Sequence, residues 1–180
     1  MDDVRDEWII LDSLVGIILN YRPGCVVEIG VGEGFSTRIL FKHVKNAMVP
    51  FYTCDINSKI SFDYEYHYHY LGSSFNFMKE FIAHPSVVFI DGDHSEEIVS
   101  KEVSFFLEKL VVGGVIFMHD TYSPDVKNLA PKRCSTSYKV RQYYEKQIEI
   151  CDCFTWPYTA MNCGLTMIIK KSLNRPFYRE

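Results

Sequence analysis

The segment Cys25-Val26-Val27-Glu28-Ile29-Gly30-Val31-Gly32-Glu33-Gly34 constrains this chain more than any other. A short β-branched run that ends in spaced glycines reads as a buried strand turning at once into a helix. Such a turn exposes backbone N–H groups at the helix start, and glycines let a ligand approach them closely. The generic expectation is therefore a nucleotide-like ligand. The spacing narrows it. A dinucleotide site wants a third glycine where this chain has Phe35. Glu28, at the end of the strand, would repel a pyrophosphate but suits a cationic ligand without phosphate. Asp55 closes the next strand-like run, where a carboxylate can accept hydrogen bonds from ribose hydroxyls or cap the following segment.

The rest of the chain alternates between the two periodicities. Apolar residues at Trp8, Ile9, Leu11, Leu14, Val15, Ile18 and Leu19 predict a helix over 5–21, stopped by Arg22-Pro23-Gly24. Helices are expected over 36–45, 74–84, 96–110 and 137–148. Strands are expected over 25–29, 51–55, 63–70, 87–91 and 115–118, with a late hairpin formed by 150–155 and 164–170. Only about nine residues, 56–64, separate the second strand from the third. That is short for a parallel crossover, so the helix there is expected to shrink to a turn or the third strand to be irregular. Residues 123–137, with two prolines, read as a mobile loop and a lid, and 175–180 as a polar tail. Alternating elements with doubly apolar strands predict an α/β fold. Its sheet is doubly wound and mostly parallel, with the antiparallel hairpin at the C-terminal end. Ligands of such sheets sit beyond the carboxyl ends of the strands, where Glu28, Asp55, Asp91, His119 and Asp120 fall. One domain is expected over 1–180, with an N-terminal helix within 1–22.

The net charge of −4 argues against a protein that coats nucleic acid. No apolar run is long enough for a membrane span, and the acidic start does not read as a secretory signal. Six cysteines, two of them inside apolar runs, fit a reduced, cytoplasmic protein. Cys151-x-Cys153 with Cys163 lacks the second Cys-x-x-Cys that a zinc site would need. His67 and His69, with Asp63 and Glu65, read as one solvated face of the third strand.

Together, Val27–Gly34, Asp55, and the blocks Ile90-Asp91-Gly92-Asp93-His94-Ser95 and Gly113-Gly114-Val115-Ile116-Phe117-Met118-His119-Asp120-Thr121 resemble class I S-adenosylmethionine-dependent methyltransferases. The resemblance spans roughly residues 24–122 and is nearest to the small-molecule O-methyltransferase subgroup. It implies a Rossmann-like, seven-stranded sheet and S-adenosylmethionine as cofactor. Glu28, Gly30, Gly32, Gly34, Phe35, Ser36, Asp55, Ile56, Ser73 and Asp91 are the implied cofactor-binding residues. Ser73 reads equally well as a plain helix cap.

Methyl transfer from a sulfonium is a direct displacement, so the enzyme positions the acceptor and removes its proton. The implied catalytic residues are Asp91, His94 and His119. Some members of the family use a divalent cation, Mg²⁺ or Mn²⁺, and the matching ligands are Asp91, His119 and Asp120. Those members carry an acid where this chain has His119, which leaves His119 open to a role as base. The expected reaction is O-methylation of a small molecule such as a sugar or phenol. A binding module without turnover and a nucleic-acid or protein methyltransferase are the rival readings, and a homodimer is compatible with either.

Overall fold

The structure is a computed structural model that describes residues 6–57, 60 and 62–172. The start of the expected first helix and the expected tail over 175–180 lie outside the described residues.

Seven strands form one sheet: β1 (Cys25–Ile29), β2 (Phe51–Asp55), β3 (His67–Leu71), β4 (Pro85–Ile90), β5 (Val115–His119), β6 (Cys151–Trp156) and β7 (Leu165–Lys170). Their order is β3-β2-β1-β4-β5-β7-β6. The first five are parallel, and β7 runs antiparallel between β5 and β6. This is the expected α/β sheet. The order reverses between β1 and β4, and a crevice opens at that point beyond the strand ends.

Helices cover both faces because successive strand residues point to opposite sides. Val26, Phe51, Val87, Phe89, Val115 and Phe117 pack under α1 (Asp6–Tyr21) and α2 (Phe35–Ala47). Val27, Ile29, Val88, Ile90, Ile116 and Met118 pack against α3 (Ser74–Glu80), α4 (Glu96–Lys109) and α6 (Ser137–Tyr144). Ser95 caps α4 by accepting the Ile98 N–H, with Glu96 and Glu97 in the first turn, a favourable arrangement for the helix dipole.

The third strand differs from expectation. It begins at His67, not Asp63, so residues 56–66 make the crossover, and no helix forms among the described part of it. Asp63 and Glu65 therefore precede the strand and do not share its face. His67 and His69 do share a face, where both meet the Thr53 hydroxyl at 2.9 and 2.8 Å. The segment expected as a loop over 123–137 holds one helical turn, α5 (Pro131–Cys134), tied to the body through Thr136 N–H to the His94 carbonyl and Leu129 N–H to the Met161 carbonyl. No helix among the described residues is long and apolar enough to cross a membrane.

Candidate active site

Two clefts meet beyond the ends of β1, β4 and β5. The smaller, about 410 Å³, is lined by Asp55, Ile56, Ser73, Phe75 and Glu102 among others. The larger, about 960 Å³, is lined by Glu7, Trp8, Phe35, Ser36, His94, His119, Asp120, Arg133 and Cys163 among others. Gly30, Gly32 and Asp91 line both.

The glycine turn forms the shared wall. Gly30 has a φ of 85°, and a Cβ there would lie 2.4 Å from the Asp91 carbonyl oxygen. Only glycine lets β1 and β4 approach so closely. Asp55 holds the turn from the side: its Oδ2 accepts the N–H groups of Val31 at 2.8 Å and Gly32 at 2.9 Å. The carboxylate expected to meet ribose thus also braces the turn. Ile56 is exposed beside it. Ser73 caps α3 by accepting the Asn76 N–H, and it also lines the smaller cleft.

Glu28 sits apart from the other residues expected to hold the cofactor. It is fully buried, lines neither cleft, and accepts the Ser36 hydroxyl at 2.5 Å. Burial, only partly opposed by Ser36, pushes its carboxyl up to about 8. Burial thus favours the neutral carboxyl. The reason is steric: strand residues alternate, and Glu28 points beneath the turn rather than out of it. Ser36 contributes by holding Glu28 while lining the larger cleft; Gly34 and Phe35 begin α2 around it.

Asp91, His94, His119 and Asp120 form one cluster. His119 Nδ1 lies 3.1 Å from Asp91 Oδ1 and 3.3 Å from Asp120 Oδ1, and its Nε2 lies 3.9 Å from Glu7 Oε1. Burial disfavours a charged ring, but the surrounding carboxylates, Asp91 foremost, hold the imidazole well above its usual range. Conversely, the histidines keep Asp91 ionised despite its burial. His119, expected as base or metal ligand, thus has carboxylates beside both ring nitrogens. Its ring stacks on Trp8.

His94, also expected to be catalytic, faces two of the same carboxylates. Its Nδ1 is bonded to the Arg133 carbonyl oxygen, which aims Nε2 at Asp91 Oδ1 and Asp120 Oδ2, 3.3 Å from each. Burial works against its charge, yet Asp91 and Asp120 raise its pKa. Asp91, His94 and Asp120 place three donor atoms within 4.8 Å of one another. This grouping shares Asp91 and Asp120 with the expected set and holds His94 where that set has His119.

Some residues of the site escaped the sequence reading. Glu7 and Trp8 come from α1, whose periodicity announces only a buried face. Glu7 is 1 % exposed and accepts the Ala160 N–H as well as facing His119. Arg133 and Met161 come from late loops that carry no local signal, and Cys163 figures in the sequence only beside Cys151 and Cys153. Glu102, raised to about 7 chiefly by burial, faces the smaller cleft from α4.

A family model described as a methyltransferase domain matches residues 27–121. The chain belongs to this methyltransferase family. No curated protein matches it. Among solved structures, the methyltransferase is similar to the O-methyltransferase from Bacillus cereus in complex with SAH. That match has 16% identity and a TM-score of 0.70, over 92% of this chain and 80% of that one. It is also similar to the SAH-bound Podospora anserina methyltransferase PaMTH1, at 15% identity and a TM-score of 0.66, over 89% and 78% of the two chains. The MycE methyltransferase in complex with Mg, SAH and mycinamycin VI matches at 18% identity and a TM-score of 0.60, over 89% of this chain and 49% of that one. At these identities the likeness establishes the fold, including the antiparallel end of the sheet.

Proposed function

We propose that this methyltransferase transfers the methyl group of S-adenosylmethionine to a hydroxyl of a small molecule such as a sugar or a phenol. What supports the reading is the meeting of the two clefts at Gly30, Gly32 and Asp91, with His94, His119 and Asp120 lining the larger one. The adenosine half of the cofactor suits the smaller cleft, beside Asp55, Ile56 and Ser73. The sulfonium then lies by the glycine turn, and the acceptor fills the larger cleft.

In the reaction the acceptor oxygen forms a bond to the methyl carbon, the carbon–sulfur bond breaks, and sulfur keeps the electron pair. The acceptor's proton goes to His94 Nε2, the ring atom left open by the Nδ1 bond to Arg133. Asp91 and Asp120 stabilise the imidazolium that forms. His119 holds those carboxylates in place as their charged donor.

A divalent cation also fits Asp91, His94 and Asp120, since two carboxylates and an imidazole suit Mg²⁺ or Mn²⁺. When bound, such an ion acidifies an acceptor hydroxyl. Its bearing here is read from turnover with and without a chelator.

Calorimetry with S-adenosylhomocysteine tests the cofactor site, and failure to bind overturns the reading. Labelled methyl transfer to a panel of phenols and sugars tests the reaction. Binding without product across the panel points instead to a module without turnover. With a net charge of −4, RNA and DNA are the less suited acceptors, and a shift assay checks them.

A further inference from the structure

Two of the buried cysteines do not behave as core residues. Cys25 and Cys54 lie within the apolar layer on one face of the sheet. Cys134 and Cys163 are equally buried but belong to neither apolar layer. They come from separate segments, the end of α5 and the turn before β7, and they meet at Asp120, just past β5. One oxygen of Asp120 and the two sulfurs all lie within 4.8 Å of one another.

We propose that Asp120, Cys134 and Cys163 form a zinc site on the wall of the acceptor cleft. Around a tetrahedral zinc with Zn–S near 2.3 Å, donor atoms stand about 3.5–3.8 Å apart. The three donors need to close by no more than roughly 1 Å to reach that spacing. Two thiolates select a borderline-soft ion such as zinc over Mg²⁺, and a carboxylate completes the set. Asn128 Oδ1 lies 3.8 Å from Cys134 Sγ and orients the thiol.

Three protein ligands with one position left over is the pattern of zinc sites that work on a substrate. Asp120 and Cys163 also line the larger cleft, so the fourth position falls to water or to an acceptor oxygen. The site joins the loop that carries Arg133 to the turn that carries Met161, both of which wall the cleft. Binding displaces both thiol protons to solvent, and the two thiolates and one carboxylate leave a net charge of −1 around Zn²⁺.

The test uses the full chain, stripped with a chelator and titrated with Zn²⁺ alone. One equivalent is expected to bind, with release of about two protons at pH 7, since unperturbed thiols are mostly protonated there. Co²⁺ in its place is expected to show a thiolate-to-metal charge-transfer band. The double variant Cys134→Ser/Cys163→Ser is expected to lose zinc affinity by at least tenfold. The double variant Cys151→Ser/Cys153→Ser, whose sulfurs also sit 4.0 Å apart, is expected to keep it. Should the first variant not fold, X-ray absorption on the zinc-loaded natural chain still decides, with two sulfurs expected at about 2.3 Å. Absence of zinc binding, unchanged affinity in Cys134→Ser/Cys163→Ser, no sulfur around the metal, or a Cys134–Cys163 disulfide in protein prepared with zinc would each overturn the proposal.

Discussion

The rings of Trp8 and His119 lie face to face, with centroids 5.2 Å apart and planes inclined by 14°. One belongs to α1 and the other to the last position of β5. The stack closes the larger cleft with a helix far away in sequence, and it sets an aromatic face against the imidazole.

The charge on His119 has a measurable sign. Its pKa is raised in the folded state, so its contribution to stability is fully present below about 6.5, the unfolded value, and is lost as pH rises through the folded value. Glu7→Gln removes one of the carboxylates that raise it. An NMR titration of the ring is expected to move to lower pH in that variant. An unchanged midpoint would show that Glu7 does not sense the ring.

Glu28 gives a second pH effect, for the opposite type of group. Its carboxyl is raised from 4.5 to about 8 by burial. The stability tied to its neutral form is fully present below about 4.5 and is gone above about 8. Glu28→Gln keeps an acceptor for the Ser36 hydroxyl without the acid. Thermal melts are expected to show the variant at least as stable as the natural chain at pH 8, with the difference shrinking at lower pH. A variant less stable at pH 8 would mean the carboxylate is wanted in its charged form.

Gly30 and Gly32 are expected to respond differently to alanine. Both have positive φ, 85° and 52°, but a Cβ on Gly32 meets nothing within 4 Å, whereas one on Gly30 meets the backbone of Asp91 and Gly92. Gly32→Ala is expected to cost about 1–2 kcal/mol, the cost of the left-handed conformation. Gly30→Ala adds a clash between two strands and is expected to cost clearly more. Denaturant unfolding of the two variants compares them directly.

Asp55→Ala removes the acceptor of two turn N–H groups. Losing a charged acceptor costs about 1.5–3 kcal/mol, so affinity for S-adenosylhomocysteine is expected to fall roughly 10- to 100-fold by calorimetry. An unaltered affinity would separate the brace from the binding site.

His94→Ala is expected to reduce turnover by about 10²- to 10⁴-fold, the usual contribution of a general base. Cofactor affinity should be unchanged, because His94 lines only the acceptor side. Equal losses in both measurements would contradict its role as base.

The sheet was legible because Val26-Val27, Val87-Val88 and Val115-Ile116 are apolar on both faces and each run ends in a turn signal. The glycine turn was legible for the same local reason. The burial of Glu28 was not legible, because a strand's carboxylate can point over a turn or beneath it, and spacing alone does not say which. The third strand was misread because Tyr64 and Tyr66 continue the alternation of Tyr68 and Tyr70 outside the ladder. Glu7 and Arg133 carry no signal in the sequence, and Cys163 shows there only beside Cys151 and Cys153. Each serves the site through a contact with a distant segment, and local periodicity records burial without naming the neighbour.

The position of β7 carries a consequence for how the molecule is made. It lies between β5 and β6, so β6 has no strand to join until Leu165–Lys170 has been synthesised. On the ribosome, a nascent chain ending before Leu165 would present the open edge of β5, whose five residues are all buried in the finished protein. Until β7 pairs there, that edge, with His119 at its tip, offers unpaired backbone groups to any other strand.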